Sequence, residues 1–196
     1  MGQRRGCAGG ALGSQQAVTD PSDAKSGPLI ARVTYLEMTA RPRSRPPLPT
    51  GRAIALFRTE QMPPAFYRFL YEEVGRKHHW SLRRHIDDAA LSAIIDAATT
   101  RIEVLYVDGC PAGFFEIDTS GLPQTCEIVY FGILPAYQGQ KLSKWFLACA
   151  IEAAWHGGPQ RVTLHTNSLD HPRALPLYQK MGFSPVGVGE EEVPAW

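Results

Sequence analysis

The sequence predicts an α/β fold on a mixed β-sheet, and three observations carry that prediction. Residues 101–120 read as two strands joined by Asp108-Gly109, a dipeptide that favours a tight antiparallel hairpin. Residues 125–167 read as strand, long helix, strand, which requires a parallel pair joined by a right-handed crossover. Short β-branched runs and segments of helical apolar spacing alternate around them, giving about six to seven strands and about four helices.

The elements follow in order. Residues 1–28 are rich in Gly, Ala, Ser and Gln and too poor in apolar surface to order themselves, so a disordered leader is expected there, with one domain over 29–196. LIARVTYLEM (29–38) has the alternating character of a strand. The proline- and arginine-rich stretch 41–50 forbids helix and central strand and reads as a stiff, solvated loop. RAIALFRT (52–59) is a second strand. PAFYRFLYEEVG (64–75) places Phe66, Phe69, Leu70 and Val74 at helical spacing, with Gly75 as the stop. Asp87 or Asp88 caps a helix whose stripe is Leu91, Ile94 and Ile95. After the hairpin, TCEIVYFGIL (125–134) is the most apolar strand and therefore central. KLSKWFLACAIEAAW (141–155) is a long helix with Leu142, Phe146, Cys149 and Ala153 on one face. RVTLHTN (161–167) is a strand, Asp170 caps a helix opening at Pro172, and 183–196 supplies a last strand.

Composition narrows the functional classes. The chain has 196 residues, 44% hydrophobic and 20% charged, ordinary values for a globular protein of one domain with a tail. Residues 1–50 hold seven Lys/Arg against three Asp/Glu, whereas 51–196 hold thirteen against sixteen. The domain itself lacks the basic stripe of a nucleic-acid binder, so no nucleic-acid partner is expected. No apolar run reaches the roughly 20 residues that span a bilayer, so no membrane partner is expected either. Gly6 stands where a myristoylation signal wants Ser or Thr. Cys7, Cys110, Cys126 and Cys149 show no metal or redox spacing, and the last three sit in apolar runs as small hydrophobes. A reducing, cytoplasmic setting follows. His78, His79 and His85 lack a carboxylate or fourth ligand at useful spacing, so no metal is expected.

The chemistry centres on EIVYFGILPAYQGQKLSKWFL (127–147). A buried strand runs into a turn that delivers Gln138, Gly139, Gln140 and Lys141 to the start of a long helix. The unpaired amides and positive dipole end of such a helix make an anion site, Gly139 permits close backbone approach, and Lys141 adds a charge. By physics alone this is a cradle for a pyrophosphate.

From Glu127 to Phe183 the chain resembles the GNAT superfamily of N-acetyltransferases, bacterial-type enzymes of small molecules or peptides among them. ILPAYQGQKLS resembles that family's Pro and Gln/Arg-x-x-Gly-x-Gly/Ala loop after the central strand, and HTNSLDHPRALPLYQKMGF resembles its closing Asn…Ala-x-x-x-Tyr…Gly-Phe segment. The looser pattern extends over about residues 30–190. The resemblance implies a splayed central pair of parallel strands, acetyl-CoA as cosubstrate, an amine acceptor, and a monomer or homodimer. It implies cofactor contacts at Phe131, Gly132 and Ile133, where Gly132 suits a bulge, at Gln138 through Leu142 and Ser143, and at Asn167. It implies Glu127 as general base, since the superfamily's histone acetyltransferases also read Glu-Ile-Val there, and Tyr178 as the acid that protonates the coenzyme thiolate. A backbone N–H near Ile133 would polarise the thioester carbonyl.

Lys141 and Ser143 depart from the loop pattern, replacing Gly and Gly/Ala, and leave a second reading: a weak or inactive relative that binds an acyl-CoA or a protein partner. The resemblance further implies an acceptor pocket roofed by the two early helices and the last hairpin, with Trp80 stacking on substrate and Arg84 binding a carboxylate. His165 and His171, on either side of Asn167, are further candidates for the site.

Overall fold

The computed structural model describes residues 27–196. The expected leader lies almost wholly outside them, as does Cys7. The elements in chain order are β1 Leu29–Met38, β2 Ile54–Arg58, α1 Pro64–Gly75, α2 Asp88–Ile95, β3 Thr100–Val107, β4 Cys110–Asp118, β5 Thr125–Ile133, α3 Ser143–Ala154, β6 Arg161–Asn167, α4 Ala174–Lys180 and β7 Ser184–Val193.

The seven strands form one sheet in the order β2-β3-β4-β5-β6-β1-β7. Every neighbouring pair is antiparallel except β5–β6. The β3–β4 turn carries Asp108 and Gly109 at φ 51° and 85°, both left-handed as this tight hairpin requires.

Alternation along the strands divides the core in two. On one face, Tyr67, Leu70, Tyr71 and Val74 of α1 and Leu91 and Ile95 of α2 pack on Ile102, Val104 and Phe114. On the other, α3 and α4 cover Leu36, Phe115, Ile128, Val162 and Leu164. Helix α3 buries Trp145 through Ile151 without a break, and residues 41–45 lie along its outer side, where Arg45 Nη1 stands 2.7 Å from Glu152 Oε2. Each of its large apolar side chains contributes roughly 1.5–3 kcal/mol by leaving water.

Three details differ from the sequence reading. The buried stripe of α1 is turned toward Tyr67 and Tyr71, while Phe69 stays 45% exposed and stacks on Phe66. A tyrosine can lie this deep only with its hydroxyl bonded, and Tyr67 donates to Glu116 Oε2 at 2.5 Å. Helix α1 ends at Gly75 as expected, but the chain does not reverse there: a short 3-10 turn (Arg76–His78) follows and the left-handed residue is His79 at φ 56°. Glycine is required at 75 because a Cβ would stand 2.5 Å from the Trp80 Cβ. The third is the β5 bulge, which falls between Ile128 and Tyr130 rather than at Gly132. Gly132 instead lets β5 pass under α1, where a Cβ would collide with the Val74 side chain.

Candidate active site

Strands β5 and β6 pair only where Thr125, Cys126 and Glu127 face Arg161, Val162 and Thr163. Beyond that point β5 follows β4 to Ile133, while β6 follows β1 to Asn167. The two diverge, and β5 past Glu127 has no strand partner on its β6 side among the described residues. Backbone donors and acceptors on such an edge are open to an extended ligand with amides of its own. A cavity of about 610 Å³ opens at the divergence, with Phe131, Gly132 and Ile133 on one wall and Leu164, His165 and Asn167 on the other.

At its mouth lies the loop before α3. Gln138 Nε2 donates to the Ile133 carbonyl at 3.2 Å. Gln140 turns elsewhere: its Nε2 donates to the Ala136 carbonyl at 2.9 Å and its Oε1 accepts from Arg52 Nη1 at 2.6 Å. Gln138, Gly139, Lys141, Leu142 and Ser143 line the cavity, and Gln140 does not. Gly139 and Lys141 are both left-handed, at φ 77° and 62°. No side chain caps α3, and its first backbone bond runs from Phe146 N to the Leu142 carbonyl. The amides of Ser143, Lys144 and Trp145 are the orphan donors of this turn. With the dipole and the adjacent Lys141 ammonium, they fit the diphosphate of a coenzyme.

Tyr178 lies on α4 in the same cavity, 9% exposed, its ring edge-on to Phe131 and Phe183 with centroids 6.5 and 6.3 Å away. Burial, and then the nearby Asp170 carboxylate, push its hydroxyl above the usual tyrosine range. The phenol therefore keeps its proton at physiological pH.

Asp170 does not cap α4, which begins only at Ala174. Its Oδ2 accepts from Thr166 Oγ1 at 2.6 Å and from the Asn167 amide at 3.1 Å, closing the turn after β6. Asn167 is held on both sides, with Oδ1 accepting from the Leu169 amide at 2.9 Å and Nδ2 donating to Glu191 at 2.7 Å.

Glu127 stands at the last β5–β6 pair, outside the cavity wall, with 40% of its side chain exposed. Its Oε1 lies 3.2 Å from Nδ1 of His165, which does line the cavity. The hydrogen bond to Glu127 raises the imidazole pKa, burial opposes that, and the charges of Glu127, Glu191 and Asp170 add to the rise.

On the acceptor side Trp80 lines the cavity, against Tyr130 and Tyr71 with ring centroids 5.0 and 5.4 Å away, and its indole N–H reaches Asp170 Oδ1 at 3.4 Å. Arg84 lies outside the cavity wall, stacked 3.6 Å over the Trp196 ring. The arginine that enters is Arg83, whose Nη2 donates to the buried Glu116 at 2.9 Å. Arg68 holds this segment by donating to the carbonyls of Arg83, Arg84 and Ile86. Glu116 in the apolar run FFEID was the available sequence signal for this cluster, because a carboxylate there must be paired.

His78 meets the Leu169 carbonyl at 3.0 Å, and His79 accepts from the Trp196 amide at 3.1 Å. Among the described residues no three His, Cys, Asp or Glu side chains are grouped to hold a metal ion, and no helix is long and apolar enough to cross a membrane. Cys126 and Cys149 are buried, which pushes both thiols up to about 11, whereas Cys110 is exposed.

A mixed sheet split after its one parallel pair, with an uncapped helix start at the split, defines the class as an acetyltransferase fold. The family model described as the acetyltransferase (GNAT) family matches residues 57–183, more than half the chain, and the chain belongs to that family. Comparison with curated protein sequences finds no match.

Solved structures give the same fold. A GCN5-related N-acetyltransferase from Kribbella flavida is 17% identical with a TM-score of 0.58, over 87% of this chain and 61% of that one. A GCN5-related N-acetyltransferase from Sphaerobacter thermophilus is 16% identical with a TM-score of 0.56, over 86% and 54%. A tandem GNAT protein from the clavulanic acid biosynthesis pathway is 15% identical with a TM-score of 0.59, over 84% and 54%. The chain spans less than two thirds of the length of each of these three. An aminoglycoside N-acetyltransferase in complex with CoA is 19% identical with a TM-score of 0.50, over 70% of this chain and 91% of that one.

Proposed function

We propose that the protein transfers an acetyl group from acetyl-CoA to a small-molecule or peptide amine by direct attack. One observation carries this reading: the cavity between the diverging β5 and β6 runs from the uncapped start of α3 to a buried, protonated Tyr178. In that geometry the open β5 edge at Phe131, Gly132 and Ile133 holds the pantetheine arm, with Asn167 on the facing wall. The α3 amides, Gln138, Gly139, Lys141, Leu142 and Ser143 hold the diphosphate. The coenzyme supplies the activated acyl thioester.

An acceptor ammonium must lose a proton before it is nucleophilic, a step in which the Glu127 carboxylate takes part, and the Tyr178 hydroxyl gives a proton to the leaving thiolate. Trp80 forms part of the acceptor wall. The neighbouring aminoglycoside acetyltransferases act on small-molecule amines, which supports an acceptor of that kind.

The test has two stages. Sub-millimolar acetyl-CoA is expected to raise the melting temperature of the full chain, and NAD and ATP to raise it less. A panel of amines is then screened for acetyl-CoA-dependent thiol release. No thermal shift with any CoA ester would sink the acyltransferase reading.

A further inference from the structure

We propose that His165 is the group that takes the proton from the acceptor ammonium, with Glu127 behind it as a positioning carboxylate, an assignment that rests on the acetyl-transfer function proposed above.

Three placements lead there. Glu127 is at the last β5–β6 pair and lies outside the cavity wall, so a base at that position needs a relay to the substrate. His165 is on β6 two residues past the paired Thr163, on the same face of the sheet as Glu127, and it lines the cavity. The two side chains meet, His165 Nδ1 to Glu127 Oε1, at 3.2 Å. A carboxylate only accepts, so Nδ1 carries the hydrogen and the lone pair falls on Nε2, the nitrogen a base must present. A carboxylate behind an imidazole also stabilises the imidazolium that forms.

The surroundings of His165 favour the protonated form. Glu127 faces it from β5, Glu191 from β7 and Asp170 from the turn after β6, while the Tyr35 ring on β1 lies across from it with centroids 6.1 Å apart. Hydrogen bonding to Glu127 is the largest of these influences, and it holds the imidazole pKa above its ordinary value against the opposing effect of burial.

The step balances as follows. Nε2 of His165 takes one proton from the ammonium and later releases it to solvent. The freed lone pair forms the C–N bond to the thioester carbonyl carbon, and the C–S bond breaks. Tyr178 gives its hydroxyl proton to the thiolate and regains one as the amine nitrogen loses its second. One proton is released per turnover.

The test uses the full chain and the best amine from the screen. In the wild-type protein kcat/KM should rise with pH through the His165 pKa and then level off. His165→Asn should lower kcat/KM by about 10²-fold or more and abolish that limb. Glu127→Gln removes the charge that raises the imidazole pKa, so the limb should move to lower pH. The proton NMR titration of His165, identified by its absence in His165→Asn, should move down in Glu127→Gln by the same amount. Turnover whose pH limb is unchanged in both variants overturns the role of His165 alone. An NMR midpoint unmoved in Glu127→Gln overturns the pairing. Absence of turnover in the wild-type chain overturns the acetyl-transfer function, and this role with it.

Discussion

The Arg83 guanidinium stands 2.9 Å from the Glu116 carboxylate with only 18% and 3% of the two side chains exposed, and it ties the segment before α2 to the centre of the sheet. Glu116 also accepts from Tyr67 of α1, and Arg83 lies 5.6 Å over the Tyr130 ring on β5. Two charges this deep hold only as a pair, and Arg83 Nε already lacks a partner. Removing either residue alone leaves the other uncompensated, which costs about 3–5 kcal/mol. Arg83→Ala and Glu116→Ala should each lower the urea-unfolding free energy by that amount. The double change Arg83→Met with Glu116→Gln, which removes both charges and leaves the Tyr67 hydroxyl an acceptor, should recover most of it. A double variant no more stable than the singles would show that the pair is not what matters.

Lys141 adopts a left-handed backbone that costs an L-residue roughly 1–2 kcal/mol. Lys141→Gly should therefore raise the melting temperature by about 2–4 °C per kcal/mol recovered. The same change removes an ammonium from the mouth of the cavity, so CoA affinity should fall even as stability rises. Calorimetry on both proteins separates the two effects. Unchanged affinity would mean that the Lys141 side chain points away from the diphosphate.

Much of this was legible in the sequence because local signals and packing agree. Asp108-Gly109, the apolar 125–134 run and the helical spacing of 141–155 each produced the expected element. The positive φ of Lys141 likewise accounts for a glycine in the family's pattern at that position. What stayed hidden depends on partners distant in the chain. Phe outranks Tyr in an apolar count, so the Tyr67 and Tyr71 stripe becomes visible only once Glu116 satisfies the Tyr67 hydroxyl. Arg83 and Arg84 are adjacent and chemically identical, and only the fold sends one inward and the other onto Trp196. The pairing of His165 with Glu127 needs β5 and β6 side by side before it exists at all.

That difference between neighbouring arginines is testable on the acceptor side. Trp80→Ala should raise the acceptor KM, since the ring lines the cavity, while CoA binding persists. Arg84→Ala should leave the acceptor KM within about twofold and cost roughly 0.5–1 kcal/mol of stability through the lost stacking on Trp196. A large KM effect in Arg84→Ala would mean that Trp196 and its surroundings close over the acceptor.

The general-acid assignment rests on Tyr178→Phe, a change that keeps the ring and therefore its edge-on packing with Phe131 and Phe183. Only the hydroxyl is lost. If it protonates the departing thiolate, kcat should fall by about 10²–10⁴, the usual contribution of a positioned acid–base group. Acetyl-CoA affinity should change little. Burial and the Asp170 charge both hold the phenol pKa up, so the wild-type acid stays protonated across the neutral range and the defect should persist there at full size. It should shrink at low pH, where solvent delivers the proton more readily. Retention of more than about half the wild-type kcat at saturating acetyl-CoA would make Tyr178 a packing residue and remove it from the mechanism.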